Sequence, residues 1–160
     1  GASFPIEDWE EEVLDFSKIL GTATIRLYSF ELKRELNFQN IRQSFFQAVS
    51  NSSCANEGYL VASQIDTDEE FLIELKRLST SFGIGILKID MVDPDSSQII
   101  YPAKYKSELD WENINKLAAE NPDFKEFLKR VKIDLNSKEI RKELYDKIYS
   151  NLCDLREVIK

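Results

Sequence analysis

Thr24-Ile25-Arg26-Leu27-Tyr28-Ser29-Phe30-Glu31-Leu32-Lys33 is the stretch whose reading decides the fold. Apolar and aromatic residues dominate it, and residues 23–33 read as a strand. Residues 38–55 read as a helix with Phe38, Ile41, Phe45, Ala48 and Val49 on one side. Gln43 and Gln47 lie one turn apart on another face of that helix. Gly58 to Ile65 then reads as a second, apolar strand. Side chains alternate along a strand with period two, so Ile25, Leu27, Ser29, Glu31 and Lys33 share a face. Glu31 and Lys33 fall at the carboxyl end of the strand, where open α/β sheets place ligands. A carboxylate there can hold a divalent metal while the ammonium meets water or a phosphate. That is half of what phosphodiester hydrolysis needs; a second metal-binding acid is the other half.

Working outward, Thr67-Asp68-Glu69-Glu70 reads as a capping box that opens a helix through Ser81. Ile84 to Ile89 reads as a third strand, entered by Gly83 and broken by Asp93-Pro94-Asp95. Ser97 to Tyr101 reads as a fourth, paired with the third as a hairpin. Upstream, residues 7–20 read as a helix on the spacing of Trp9, Val13, Phe16 and Leu20, ended by Gly21. Beyond Asp110 the pattern is helical. It gives one helix over 111–120 with Ile114, Leu117 and Ala118 inward and another from Pro122 through Arg130. A last one opens at Asn136-Ser137-Lys138-Glu139 and runs to the C-terminus. The expected fold is an α/β sheet flanked by helices, with a helical C-terminal appendage. Residues 1–105 form the core of this division and 106–160 an extension of the same domain.

Glu-Leu-Lys-Arg occurs twice, at 31–34 and 74–77. The second copy sits in a helical stretch, where positions two apart diverge. Glu74 and Lys76 are therefore expected to be solvated surface charges.

The chain has 160 residues, with 42% hydrophobic and 31% charged, which suits a globular domain rather than a disordered one. No apolar run approaches the roughly 18 residues that span a membrane, and no basic-then-apolar signal segment opens the chain. There is no histidine, so Ser-His and Cys-His catalysis are excluded. Acid–base work falls to carboxylates, lysines, tyrosines or metal-bound water. Cys54 and Cys153 are far apart and are expected to be free thiols. The net charge of −8 argues against an autonomous non-specific nucleic-acid binder. Lys125, Lys129, Arg130 and Lys132 could meet DNA phosphates, or could equally be a solvated helix end. Gly1-Ala2-Ser3 reads as a cloning remnant, so the chain is expected to be part of a longer one.

Ser29-Phe30-Glu31-Leu32-Lys33, Ser44-Phe45-Phe46-Gln47-Ala48-Val49-Ser50 and Glu57-Gly58-Tyr59-Leu60-Val61-Ala62 resemble, in order and spacing, the second half of a PD-(D/E)xK nuclease core. More narrowly, the chain from about Trp9 to Arg130 is similar to the HrgA-like family of bacterial restriction–modification loci. Phe82-Gly83-Ile84-Gly85-Ile86 and Asp110-Trp111-Glu112-Asn113-Ile114-Asn115 share in that likeness. The resemblance implies a restriction-endonuclease-like mixed sheet and a cytoplasmic, Mg²⁺-dependent hydrolase that cuts DNA. Glu31 would be a metal ligand, Lys33 would orient the attacking water or offset phosphate charge, and Gln47 would be a supporting polar contact. A homodimer is among the expected assemblies. The family pattern also has an acid, usually after proline, on a strand before the ExK strand, and this chain has no Pro-Asp there. The second acid is expected upstream of residue 1, with Glu12 or Asp15 as substitutes. The alternative from another class is a non-catalytic module that keeps the fold for protein interaction or DNA positioning.

Overall fold

A computed structural model describes residues 1–4, 10–19, 25–137, 139–147 and 149. They form two compact units, one of Gly1–Ser3 with Arg26–Asn113 and one of Phe4–Ile25 with Ile114–Lys160. Hydrogen bonds tie the segment that follows residue 105 to the sheet unit. The Lys106 amide donates to the Asn56 carbonyl at 2.8 Å. Its ammonium donates to the Ser52 carbonyl at 2.6 Å. The Asn113 amide group donates to Ser53 Oγ at 2.5 Å.

The first unit is a five-stranded mixed sheet. Its strands are β1 (Ala2–Ser3), β2 (Arg26–Leu36), β3 (Glu57–Ile65), β4 (Gly85–Lys88) and β5 (Gln98–Tyr101), side by side in that order. β1 pairs antiparallel with the start of β2, with Ala2 opposite Leu27. β2, β3 and β4 are mutually parallel, and β5 returns antiparallel to β4 as the expected hairpin. Parallel neighbours need crossover helices; α2 (Ile41–Asn51) and α3 (Glu69–Phe82) supply them.

Each turn has a chemical cause. β2 runs three residues past the expected end, to Leu36. There the polar run 37–40 folds on itself: Asn40 Oδ1 accepts from the Asn37 amide at 3.0 Å, and Asn40 Nδ2 donates to the Glu35 carbonyl at 2.9 Å. The run is a turn, so α2 begins at Ile41 rather than residue 38. α3 is capped by Asp68, whose carboxylate accepts from the Phe71 amide at 3.1 Å. It ends at Gly83, whose φ of 70° places it in the left-handed region that glycine enters without a Cβ penalty.

β3 is the central strand and is buried from Glu57 through Ala62, as a strand covered on both faces should be. Phe45 and Ala48 of α2 and Phe71, Leu75 and Leu78 of α3 cluster with Leu60, Ala62, Ile84 and Ile86. Both helices therefore cover the sheet face that carries Leu60, Ala62 and Ile86. In this core the sequence spacing and the buried positions agree: Ile41, Ser44, Phe45 and Ala48 recur at helical intervals.

The second unit contains α1 (Glu11–Ile19), most of α4 (Trp111–Glu120) and α5 (Pro122–Ser137). Val13 and Phe16, whose spacing marked the helix, are exposed, whereas Ser17 is buried. Ile114 is buried as expected. α5 runs to Ser137 rather than Arg130. Residues 139–147 hold only a short 3-10 turn at Lys142–Leu144 in place of the start of a C-terminal helix. The cause is visible at Asp134, which is almost fully buried and accepts from Tyr145 Oη at 2.8 Å and from the Arg141 amide at 3.3 Å. Those bonds fold the chain back after α5. Arg141 Nε lies 3.4 Å from Asp134 Oδ1, outside hydrogen-bonding geometry. Trp9, Leu20, Gly21, Lys138 and the stretch from residue 150 lie outside the described residues. Among the described residues no helix is long and apolar enough to cross a membrane.

Candidate functional site

Glu31 and Lys33 project from the same face of β2, as period two requires. Lys33 Nζ lies 2.9 Å from Glu31 Oε1. The same ammonium donates to Gln47 Oε1 at 2.7 Å, across the gap between β2 and α2. The expected trio is thus brought together. A fourth member was not read from the sequence: Asn51, one turn beyond Gln47, donates through Nδ2 to Glu31 Oε2 at 2.8 Å. The side chains of Lys33 and Glu31 are 28% and 18% exposed, so the cluster is accessible but not fully solvated.

Glycine at position 58 explains why the end of α2 can reach Glu31. A Cβ there would lie 2.4 Å from Ser52 Cβ and 3.2 Å from Ser29 Oγ. With hydrogen in its place, the 3-10 turn Ser52–Cys54 closes directly onto β3. Ser52 follows Asn51, so the close approach also sets Asn51 over the middle of β2. The sequence signal was present in Gly58 and in the Gln47/Asn51 spacing, but it needs the helix-to-strand approach to be interpretable.

The quartet has one anion, one cation and two amides, so its formal charge is zero. Both oxygens of Glu31 are engaged, one by an ammonium and one by an amide. The acids nearest in sequence are committed elsewhere. Glu57 holds Arg26 at 3.3 Å and accepts from Tyr59 Oη at 3.0 Å. Glu35 accepts from Asn37 Nδ2 at 3.3 Å. Glu12 and Asp15 belong to the second unit. Among the described residues no three His, Cys, Asp or Glu side chains stand close enough to hold a metal ion. Mg²⁺ takes oxygen ligands, usually one or two carboxylates with water and substrate phosphate. The quartet matches that preference in ligand type. It falls short in charge, because an ammonium already offsets its single carboxylate. The quartet therefore does not fit Mg²⁺ unaided.

The second Glu-Leu-Lys-Arg behaves as a helix should. Glu74 takes Arg77 in a two-point pair at 2.6 and 2.7 Å on the surface of α3. That pair holds the Glu74 carboxyl below its ordinary range, through the hydrogen bond first. Arg77 and Glu74 also line an open groove with Phe38, Ile41, Arg42 and Glu70, away from Glu31 and Lys33. Lys125, Lys129, Arg130 and Lys132 lie on α5, where Lys129 pairs with Glu126 at 3.2 Å. Cys54 is a free thiol, and Cys153 lies outside the described residues.

No family model, no curated protein and no solved structure matches this chain.

Proposed function

We propose that the sheet unit is a nuclease-like module of the PD-(D/E)xK type that acts on DNA phosphodiesters. The observation that carries this reading is the convergence of Glu31, Lys33 and Gln47 from a strand and its crossover helix. In it, Lys33 offsets charge on a phosphate oxygen, and Gln47 and Glu31 hold the ammonium in place. Asn51 keeps the Glu31 carboxylate turned toward Lys33. Hydrolysis then depends on a second carboxylate that the Glu31 cluster does not itself supply. Mg²⁺ enters only with that second acid.

One observation favours the non-catalytic alternative. Glu31 is already satisfied at both oxygens, which suits a residue that holds lysine for binding rather than one that binds metal.

The test is plasmid cleavage with Mg²⁺ by the full natural chain and its Glu31→Ala, Lys33→Ala and Glu74→Ala variants, with circular dichroism as folding control. The nuclease reading expects Glu31→Ala and Lys33→Ala to lose activity by at least about a hundredfold, the scale of a lost transition-state contact, while staying folded. Glu74→Ala should cut like the parent. Full activity in Glu31→Ala would overturn the site. A parent chain that binds DNA through Lys33 but never cuts it would favour the positioning module.

A further inference from the structure

The Glu31 cluster has hydrogen-bonding capacity left over, and nearly all of it is donor. An ammonium carries three donor hydrogens; a primary amide carries two, with one acceptor oxygen. Lys33 turns one hydrogen to Gln47 Oε1 at 2.7 Å and another toward Glu31 Oε1 at 2.9 Å. Asn51 spends one amide hydrogen on Glu31 Oε2 at 2.8 Å. That leaves a hydrogen on Lys33, both hydrogens on Gln47 Nε2 and one on Asn51. Among the described residues no other group accepts them. On the acceptor side each Glu31 oxygen already faces a donor, and Gln47 Oε1 is taken. Gln47 and Asn51 are both exposed residues of α2, so a ligand from solvent can reach the spare donors.

We propose that this cluster is an oxyanion site that holds a phosphate group without a divalent metal, and that Asn51 sets the preference. Converging donors suit phosphate oxygens, and bonds from an ammonium to an anion are of the stronger kind. A cation needs the reverse. Mg²⁺ ligand oxygens lie about 2.0–2.1 Å from the ion, so neighbouring ones stand about 2.9 Å apart. Asn51 Nδ2 stands 2.8 Å from Glu31 Oε2, at the spacing of a second ligand oxygen. It fills that place with an N–H, which covers the carboxylate and repels a cation. Neither amide is free to turn round. Lys33 has no acceptor to offer Gln47 Nε2, and the Glu31 carboxylate has no donor to offer Asn51 Oδ1.

The inference rests on the reading above for Lys33 as the phosphate contact, but not on hydrolysis. It adds Gln47 and Asn51 as direct contacts and removes the metal from the binding step. The net charge of −8 opposes any anion at long range. At about 0.1 M salt that field is screened within roughly 10 Å, and the local donors decide. One substitution should reverse the preference. Asn51→Asp exchanges the N–H for an oxygen, adds a negative charge and gives Glu31 a carboxylate partner. It should therefore admit a divalent ion and reject phosphate.

Binding in metal-free buffer tests it on the whole chain. Inorganic phosphate should shift the side-chain amide NMR signals of Gln47 and Asn51. Lys33→Ala should weaken that response by about tenfold or more. A short DNA duplex in the same titration separates the sources. A response to the duplex assigns the site to backbone phosphates, and one to inorganic phosphate alone assigns it to free phosphate groups. Asn51→Asp should lose the phosphate response and bind Mn²⁺, read by water proton relaxation, at least about tenfold more tightly than the parent. Asn51→Ala should weaken phosphate without gaining Mn²⁺. Circular dichroism of each variant separates loss of binding from loss of fold. No response to either probe, or a response that needs Mg²⁺, would overturn the proposal. So would a parent that binds Mn²⁺ as tightly as folded Asn51→Asp. A chain that binds phosphate in this way but never cuts DNA would end the nuclease reading and leave this inference standing.

Discussion

Adding one methyl group at Gly85 should destabilise the sheet unit by about 3 kcal/mol, the upper end expected for overpacking. A Cβ built there lies 2.3 Å from Tyr59 Cε1, 2.4 Å from Tyr59 Cδ1 and 2.7 Å from the Ala103 amide nitrogen. Carbon atoms settle at about 3.5–4.0 Å, so the ring would have to retreat by more than about 1 Å. It has little room to do so. Tyr59 is buried, donates to Glu57 at 3.0 Å and stacks on Phe30 with ring centres 6.0 Å apart. Burial, named first, and the bond to Glu57 both raise the Tyr59 phenol pKa, although its bond to Ala103 opposes them. The backbone side is anchored as well, since the Lys104 amide donates to the Gly83 carbonyl at 2.9 Å. If the ring tilts off Glu57, a hydrogen bond to a charged group worth about 1.5–3 kcal/mol is lost in place of part of the strain. Urea unfolding followed by circular dichroism measures the cost. A Tyr59→Ala background should remove the clash with the ring and leave only that with the Ala103 amide, so Gly85→Ala there should cost at least about 1 kcal/mol less than in the parent. A Gly85→Ala protein within about 0.5 kcal/mol of the parent, or additivity with Tyr59→Ala, would refute the steric reasoning.

Two further outcomes test the elements around the site. Asp68→Ala should cost about 1 kcal/mol by removing the α3 cap, and Asp68→Asn should recover most of it; equal stabilities for parent and alanine variant in urea would count against the cap. Burial first, and then the hydrogen bond to Asp134, push the Tyr145 phenol up to about 12. A raised folded-state value favours the protonated form, so this stabilisation is complete below the ordinary tyrosine value near 10 and is lost as pH rises toward about 12. Unfolding free energies measured across that window should fall more steeply for the parent than for Tyr145→Phe, and parallel slopes would show that the shift is absent.

The parts of the fold legible from sequence are those where a local period coincides with a buried face. The stripe Ile41, Phe45 and Ala48 could be read because α2 lies on the sheet along its length, and Phe71, Leu75 and Leu78 could be read for the same reason. Glu31 and Lys33 were legible as a pair because a strand period fixes their common direction, whereas Gln47 was named for the site by the resemblance alone. Asn51 was not, since its contact depends on how closely the helix end settles on β3. β1 was not legible either, because two residues carry no period. On α1 the apolar spacing was real, yet Val13 and Phe16 are exposed. A helical period states which residues share a face, not that the face is covered.

Glu31 and Lys33 carry the proposed use, and the local geometry sets its terms. A phosphate at Lys33 must take a share of an ammonium that already serves Glu31 at 2.9 Å and Gln47 at 2.7 Å. The nuclease use therefore needs an added carboxylate to turn a neutral cluster into a cation site, whereas the positioning use needs only what the cluster already carries. Charge balance at this one strand is consequently the property to measure first. It governs whether Lys33 meets a phosphate or stays held by Glu31 and Gln47.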